Sequence, residues 1–127
     1  MMKRIILEMG TGNDLYGEDY TKAAGRAVED AIRHSSLILF RSLGFDHADM
    51  QVQVTIGVQH PEKVDAELVA QKLPRGTASV RVVKGGLNVV DADNNSCTVV
   101  ATAAVEAWLD IDPNDWVLSD ATAASGA

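Results

Sequence analysis

The stretch Ile5-Ile6-Leu7-Glu8-Met9-Gly10-Thr11-Gly12-Asn13-Asp14-Leu15-Tyr16-Gly17-Glu18-Asp19-Tyr20-Thr21-Lys22 joins an apolar run to a helical pattern, and its reading sets the fold. Ile5, Ile6 and Leu7 predict a short buried strand over residues 3–9, ended by Gly10. Residues 10–19 then read as a glycine-rich loop, whose glycines let the backbone turn tightly and approach a ligand or another chain. A helix is expected from Tyr20, with Asp19 as N-cap because its carboxylate can accept from an orphan backbone N–H. Ala23, Ala24, Ala27, Val28, Ala31 and Ile32 recur at helical spacing as one apolar face, and small alanines permit close packing on a sheet. The apolar run at 37–40 extends the pattern to Leu43, across a kink at His34-Ser35-Ser36, with Gly44 as the stop.

Beyond this unit, Met50, Val52, Val54, Ile56 and Val58 alternate with Gln51, Gln53, Thr55, Gly57 and Gln59. Strict alternation predicts a strand with one face on a core. Its other face is polar yet uncharged, which points to burial against another subunit. Pro61 fits the first position of a second helix, ended by Pro74-Arg75-Gly76. Residues 77–83 predict a third strand, interrupted by Lys84-Gly85-Gly86 and resumed from Leu87 to Val90, with Asp91 to Asn95 as a turn. Residues 97–109 fit both periods; the β-branched Thr98, Val99, Val100 and Thr102 and the preceding turn favour a strand. The order is β-α-β-α-β-β: a single α/β (α+β) domain over residues 1–118, a four-stranded sheet with two helices on one face, and a flexible tail over 119–127. Two helices leave the second sheet face without cover, so oligomerisation through the sheet is expected.

With 127 residues, the chain suffices for one domain with a real core. A net charge of −7 argues against nonspecific nucleic-acid binding and against a polybasic membrane patch. The lone Cys97 rules out an intrachain disulfide and a C-x-x-C metal site. No run reaches eighteen apolar residues, and Lys3-Arg4 precedes too short an apolar segment for a secretory signal, so a cytoplasmic location is the expectation.

Gly10-Thr11-Gly12 before a helix superficially matches phosphate-binding loops, but Leu15 stands where G-x-G-x-x-G requires glycine, and Gly-Lys-Ser/Thr is absent. Asp14, Glu18 and Asp19 make the loop acidic, which disfavours a phosphate. Lys22 lies in the first helical turn, against the helix dipole, either for an anionic or carbonyl ligand or simply neutralised by Asp19 or Glu18. His34, His47 and His60 lack metal-ligand spacing, so no metal and no cofactor are expected; His60 reads as a cap or surface residue. Glycines at Lys84-Gly85-Gly86 permit close approach of backbone or ligand, with a β-bulge as the plainer account. The candidate ligand-binding residues are therefore Glu8, Gly10, Thr11, Gly12, Asp14, Thr21, Lys22, Lys84, Gly85 and Gly86, and no catalytic residue is assigned.

The run Leu7 to Gly12, then Asp14-Leu15 and Asp19-x-Thr21-Lys22-Ala23-Ala24, resembles a family of small conserved bacterial and plant proteins of unknown function. Ile56-Gly57-Val58-x-x-Pro61-Glu62-x-Val64-Asp65, Gly85-Gly86-Leu87 and Ala103 to Glu106 fit it too, so the resemblance spans residues 2–112. More distantly, the opening segment is similar to one repeat of the ring-opening amidohydrolases, cyanuric acid hydrolase and barbiturase, which place three repeats around a pseudo-threefold axis. That resemblance implies a homotrimer, with Lys22 at the position of the helix-start arginine. It departs where those enzymes carry Ser-Gly-Gly, since Lys84 precedes the only Gly-Gly here. Three functions follow as expectations: a homo-oligomer binding a small polar or anionic ligand in clefts between subunits, a non-catalytic structural or assembly module, and a hydrolase of cyclic amides.

Overall fold

The computed structural model describes residues 1–33, 49–73, 77–112 and 114. The chain forms β1 (Met2–Asp14), α1 (Tyr20–Arg33), β2 (Gln51–Val58), a short 3-10 turn (Pro61–Lys63), α2 (Ala66–Ala70), β3 (Thr77–Lys84), β4 (Leu87–Asp91) and β5 (Ser96–Asp110). The five strands make one sheet in the order β1-β5-β2-β3, with β4 also paired to β5. Only β2 and β3 run parallel. The 15-residue β5 is the spine, flanked by β1 on one side and by β2 and β4 in succession on the other. The ambiguous segment 97–109 is thus a strand, as its β-branched residues require.

The two described α-helices lie on one face of the sheet. There Val52, Val54, Ile56 and Val58 of β2 and the odd residues of β5 from Val99 to Val105 meet Ala23, Ala24, Ala27, Val28 and Ala31 of α1. Burying each valine or isoleucine contributes ~1.5–3 kcal/mol. Val69 of α2 closes the core, with Val80 and Val82 of β3 packed against it. Asp19 caps α1, accepting from the Lys22 N–H at 3.0 Å.

Several expectations change. Gly10 does not end the first strand: β1 runs on to Asp14. Gly10 and Gly12 face α1, and a Cβ on Gly10 would stand 2.5 Å from the Ala27 carbonyl oxygen; one on Gly12 would stand 2.7 Å from the Arg26 carbonyl carbon and closer still to Ala23 and Ala27 backbone atoms. These glycines lie within β1 rather than in a loop, and they let helix and strand touch backbone to backbone. Among the described residues the sheet has five strands, not four, because Gly85-Gly86 is not a bulge within one strand. There the chain steps across the end of β2, from β2's outer side to β5, and the Gly85 N–H donates to the Val58 carbonyl at 2.9 Å. Gly86 has φ +62°, and a Cβ there would stand 2.7 Å from the Gly57 carbonyl oxygen. Gln59 fixes the step, its Nε2 donating to the carbonyls of Gly85 and Gly86 at 3.0 and 3.3 Å.

The second helix is shorter than expected. Pro61 opens the 3-10 turn, Val64 is extended, and Asp65 starts α2 by accepting from the N–H groups of Glu67 and Leu68. Leu37–Gly44, the stop at 74–76, the tail over 119–127, His34 and His47 lie outside the described residues.

Candidate functional site

The face of the sheet away from the helices carries no covering element among the described residues. Strand register lays its side chains out in rows. Thr11, Thr102, Gly57 and Val83 form one row across β1, β5, β2 and β3, and Met9, Ala104, Thr55 and Arg81 form the next. The centre of these rows is small and the margins are larger, so the face sinks into a depression of about 600 Å3 lined by Met9, Thr11, Thr55, Gly57, Val83, Lys84, Gly85, Thr102 and Ala104, with Gly10, Ala103 and the Asp30 carboxylate of α1 also at its wall. That volume lies within the range of small-molecule sites. Gly57 is needed here, because a Cβ on it would stand 2.7 Å from Thr102 Oγ1.

Lys84 sits at the rim, at the last residue of β3, and makes no ion pair among the described residues. Thr11 supplies a hydroxyl at the β1 edge, while its backbone N–H donates to Asp30 of α1 at 3.0 Å. The depression therefore combines an aliphatic floor, threonine hydroxyls that donate or accept, one ammonium with three donors and the acceptor-only Asp30 carboxylate. Such a set has donors and acceptors for a small polar molecule, with Lys84 the one cationic group for an anionic oxygen.

The loop after β1 is tied down from beneath. Asp14, buried at the end of β1, accepts from the Asp19 N–H at 2.8 Å and from Arg26 Nη1 at 3.3 Å. Arg26 also donates to the Asn13 carbonyl at 2.6 Å. Together with Asp30 it occupies outward-facing polar groups of β1, which is an edge strand. The loop these contacts fix presents Tyr16 almost wholly to solvent and holds Glu18 at φ +50°.

A family model described as "conserved hypothetical protein (Lin0512_fam)" matches residues 4–107. The chain belongs to this family. A solved structure similar to this Lin0512 chain is that of an FtsZ-like protein of unknown function from Nostoc punctiforme PCC 73102, 35% identical, with a TM-score of 0.76, covering 87% of this chain and 98% of that one. No curated protein matches the chain.

In this Lin0512 member the expected site residues divide between two layers. Thr11, Lys84, Gly85 and the backbone of Gly10 line the depression. Gly86 serves the strand crossover. Glu8, Gly12 and Asp14 take register positions on the helix-covered face. Thr21 pins the α1–α2 junction, its Oγ1 accepting from the Asp65 N–H at 2.9 Å. Lys22 is exposed beside a separate hollow between α1 and α2, lined in part by Glu29, Leu68 and Lys72. One chain thus does not bring Lys22 and Lys84 together. His60 stands at the strand end, its ring edge-on to Tyr20 at 5.6 Å and its Nδ1 3.4 Å from Glu62. Thr55, Gly57, Thr102 and Ala104 were not among the candidates. Thr55 and Gly57 announced themselves only as part of the uncharged face of β2, and Thr102 joins them through pairing with a distant strand.

Proposed function

We propose that this chain is a homo-oligomeric small-molecule-binding protein that shields its open sheet face against copies of itself and holds a small polar or anionic ligand in the resulting clefts. The observation that carries this reading is the depression over Thr55, Gly57, Thr102 and Ala104, with the unpaired Lys84 at its rim. Charge distribution supports the self-association. The chain carries −7 overall, yet the three rows from Leu7 to Thr11 include only Glu106 and Arg81 as charged groups. Copies meeting there escape the like-charge repulsion of the rest of the surface. Leu7, Met9, Leu87 and Val89 are also exposed on this side, as expected of a face that is covered in use.

Lys84 would hold a ligand oxygen, and the threonine hydroxyls would orient the remainder. A thermal-shift panel of small carboxylic acids and cyclic amides tests this. Stabilisation by at least one compound, lost in Lys84→Ala and kept in Lys22→Ala, is the expected result; no shift with any of them overturns the ligand reading. A second reading, an assembly module without a ligand, is favoured by the packing of Gly10 and Gly12 directly against the α1 backbone. It predicts an oligomer whose stability no compound changes.

A further inference from the structure

The loop following β1 is the most exposed aromatic feature of the described chain. Tyr16 is 88% exposed and Leu15 49%, although the backbone carrying them is anchored through Asp14. A fixed loop that keeps a tyrosine in water loses little conformational freedom when it docks. Beside Tyr16 stands Glu18, which makes no ion pair among the described residues, and Lys84 at the depression's rim makes none either. The aromatic knob carries an unpaired acid, and the hollow carries an unpaired base at its Lys84 rim with Asp30 at its β1 side, so the two are complementary in charge at the Lys84 end. One chain does not satisfy this pairing itself, since Tyr16 remains in solvent.

We propose that the Leu15–Glu18 loop of one copy docks on the open-face depression of the next, with Tyr16 over Thr55 and Ala104 and Glu18 paired with Lys84. This rests on the reading that the open sheet face joins copies of the chain. The contact is heterologous, because knob and hollow are different surfaces, so repeating it closes a ring when the rotation permits. The ligand site is then incomplete in one chain: the neighbour's Tyr16 supplies its roof. The hollow is far larger than a phenol ring and leaves space beneath for a small molecule. Lys84, with three N–H donors, serves Glu18 and a ligand oxygen together.

Light scattering over a concentration series tests the docking on the full chain. The wild type is expected to be oligomeric, and Tyr16→Ala, Glu18→Lys and Lys84→Glu are each expected to raise the dissociation constant at least tenfold. Glu18→Lys combined with Lys84→Glu is expected to restore most of the wild-type mass, which general surface damage would not do. These side chains are at the surface, so circular dichroism should remain that of the wild type. An oligomeric wild type with unchanged mass in Tyr16→Ala and both single charge variants overturns the docking and leaves self-association intact. A wild type that is monomeric throughout the series overturns both.

Discussion

The two faces of the sheet are cut from the same strands and differ in almost every other respect. On the helix side, the alternate residues of β2 and β5 are valine, isoleucine and alanine at near-zero exposure, and Gly10 and Gly12 bring β1 against the α1 backbone. On the other side the intervening residues of β2 are glutamine, threonine and glycine, those of β5 run from Thr102 and Ala104 to Glu106 and Trp108, and Met9 is 67% exposed. The covered face is intolerant because every position meets something rigid. The open face has room, and its composition is free to follow recognition.

Substitution should expose that contrast most strongly at paired positions. Gly12→Ala forces a methyl into the backbone of Ala23 and Ala27, so it should destabilise by about 3 kcal/mol or more in urea denaturation. Thr102→Ala, on the opposite face, should remain within about 0.5 kcal/mol when measured under conditions that keep the chain monomeric. Equal losses would mean that the two faces are not distinct. Next in size is Asp14→Ala. It leaves the Asp19 N–H and Arg26 without their carboxylate partner and should cost about 2 kcal/mol, with faster hydrogen exchange over residues 15–19. Unchanged exchange there would show that the loop is held by something other than Asp14.

The smallest effect belongs to Asp91, in the exposed turn joining β4 to β5. The Asn94 side chain donates to it at 2.8 Å and the Asn94 N–H at 3.3 Å, and these bonds hold its carboxyl below the usual carboxylate value. A lowered acid adds stability above its unfolded value, and that contribution fades as pH falls through the lowered one. Asp91 should therefore titrate at lower pH by NMR in the wild type than in Asn94→Ala. Coincident titrations would remove Asn94 as the cause.

Much of the covered face was legible from local pattern. The alternation over 50–58, the alanine stripe of α1 and the Asp19 cap each depend on residues within a few positions of one another. Gly10 misled because a glycine at a strand end and a glycine beneath a helix look alike until the helix is placed. Pro61 suggested the first position of a helix but opens only a 3-10 turn, and the helix itself starts after the cap at Asp65. The depression was harder to see, since Thr11, Thr55 and Thr102 share a surface only after β1 and β2 pair with β5. Lys84-Gly85-Gly86 was visible as an interruption, whereas the crossing over β2 needed the pairing of β4 with β5.

The place of β5 in the chain has a consequence for synthesis. Met2 pairs with Asp110, and β1, β2 and β4 all depend on the same strand, which is translated after them. At roughly 10 residues per second the first strand waits on the order of ten seconds on the ribosome for its partner. During that interval Ile5, Ile6 and Leu7 of β1 have no partner strand, and β2 has only β3 beside it. The sheet is thus completed only once β5 has emerged, through contacts of high sequence separation.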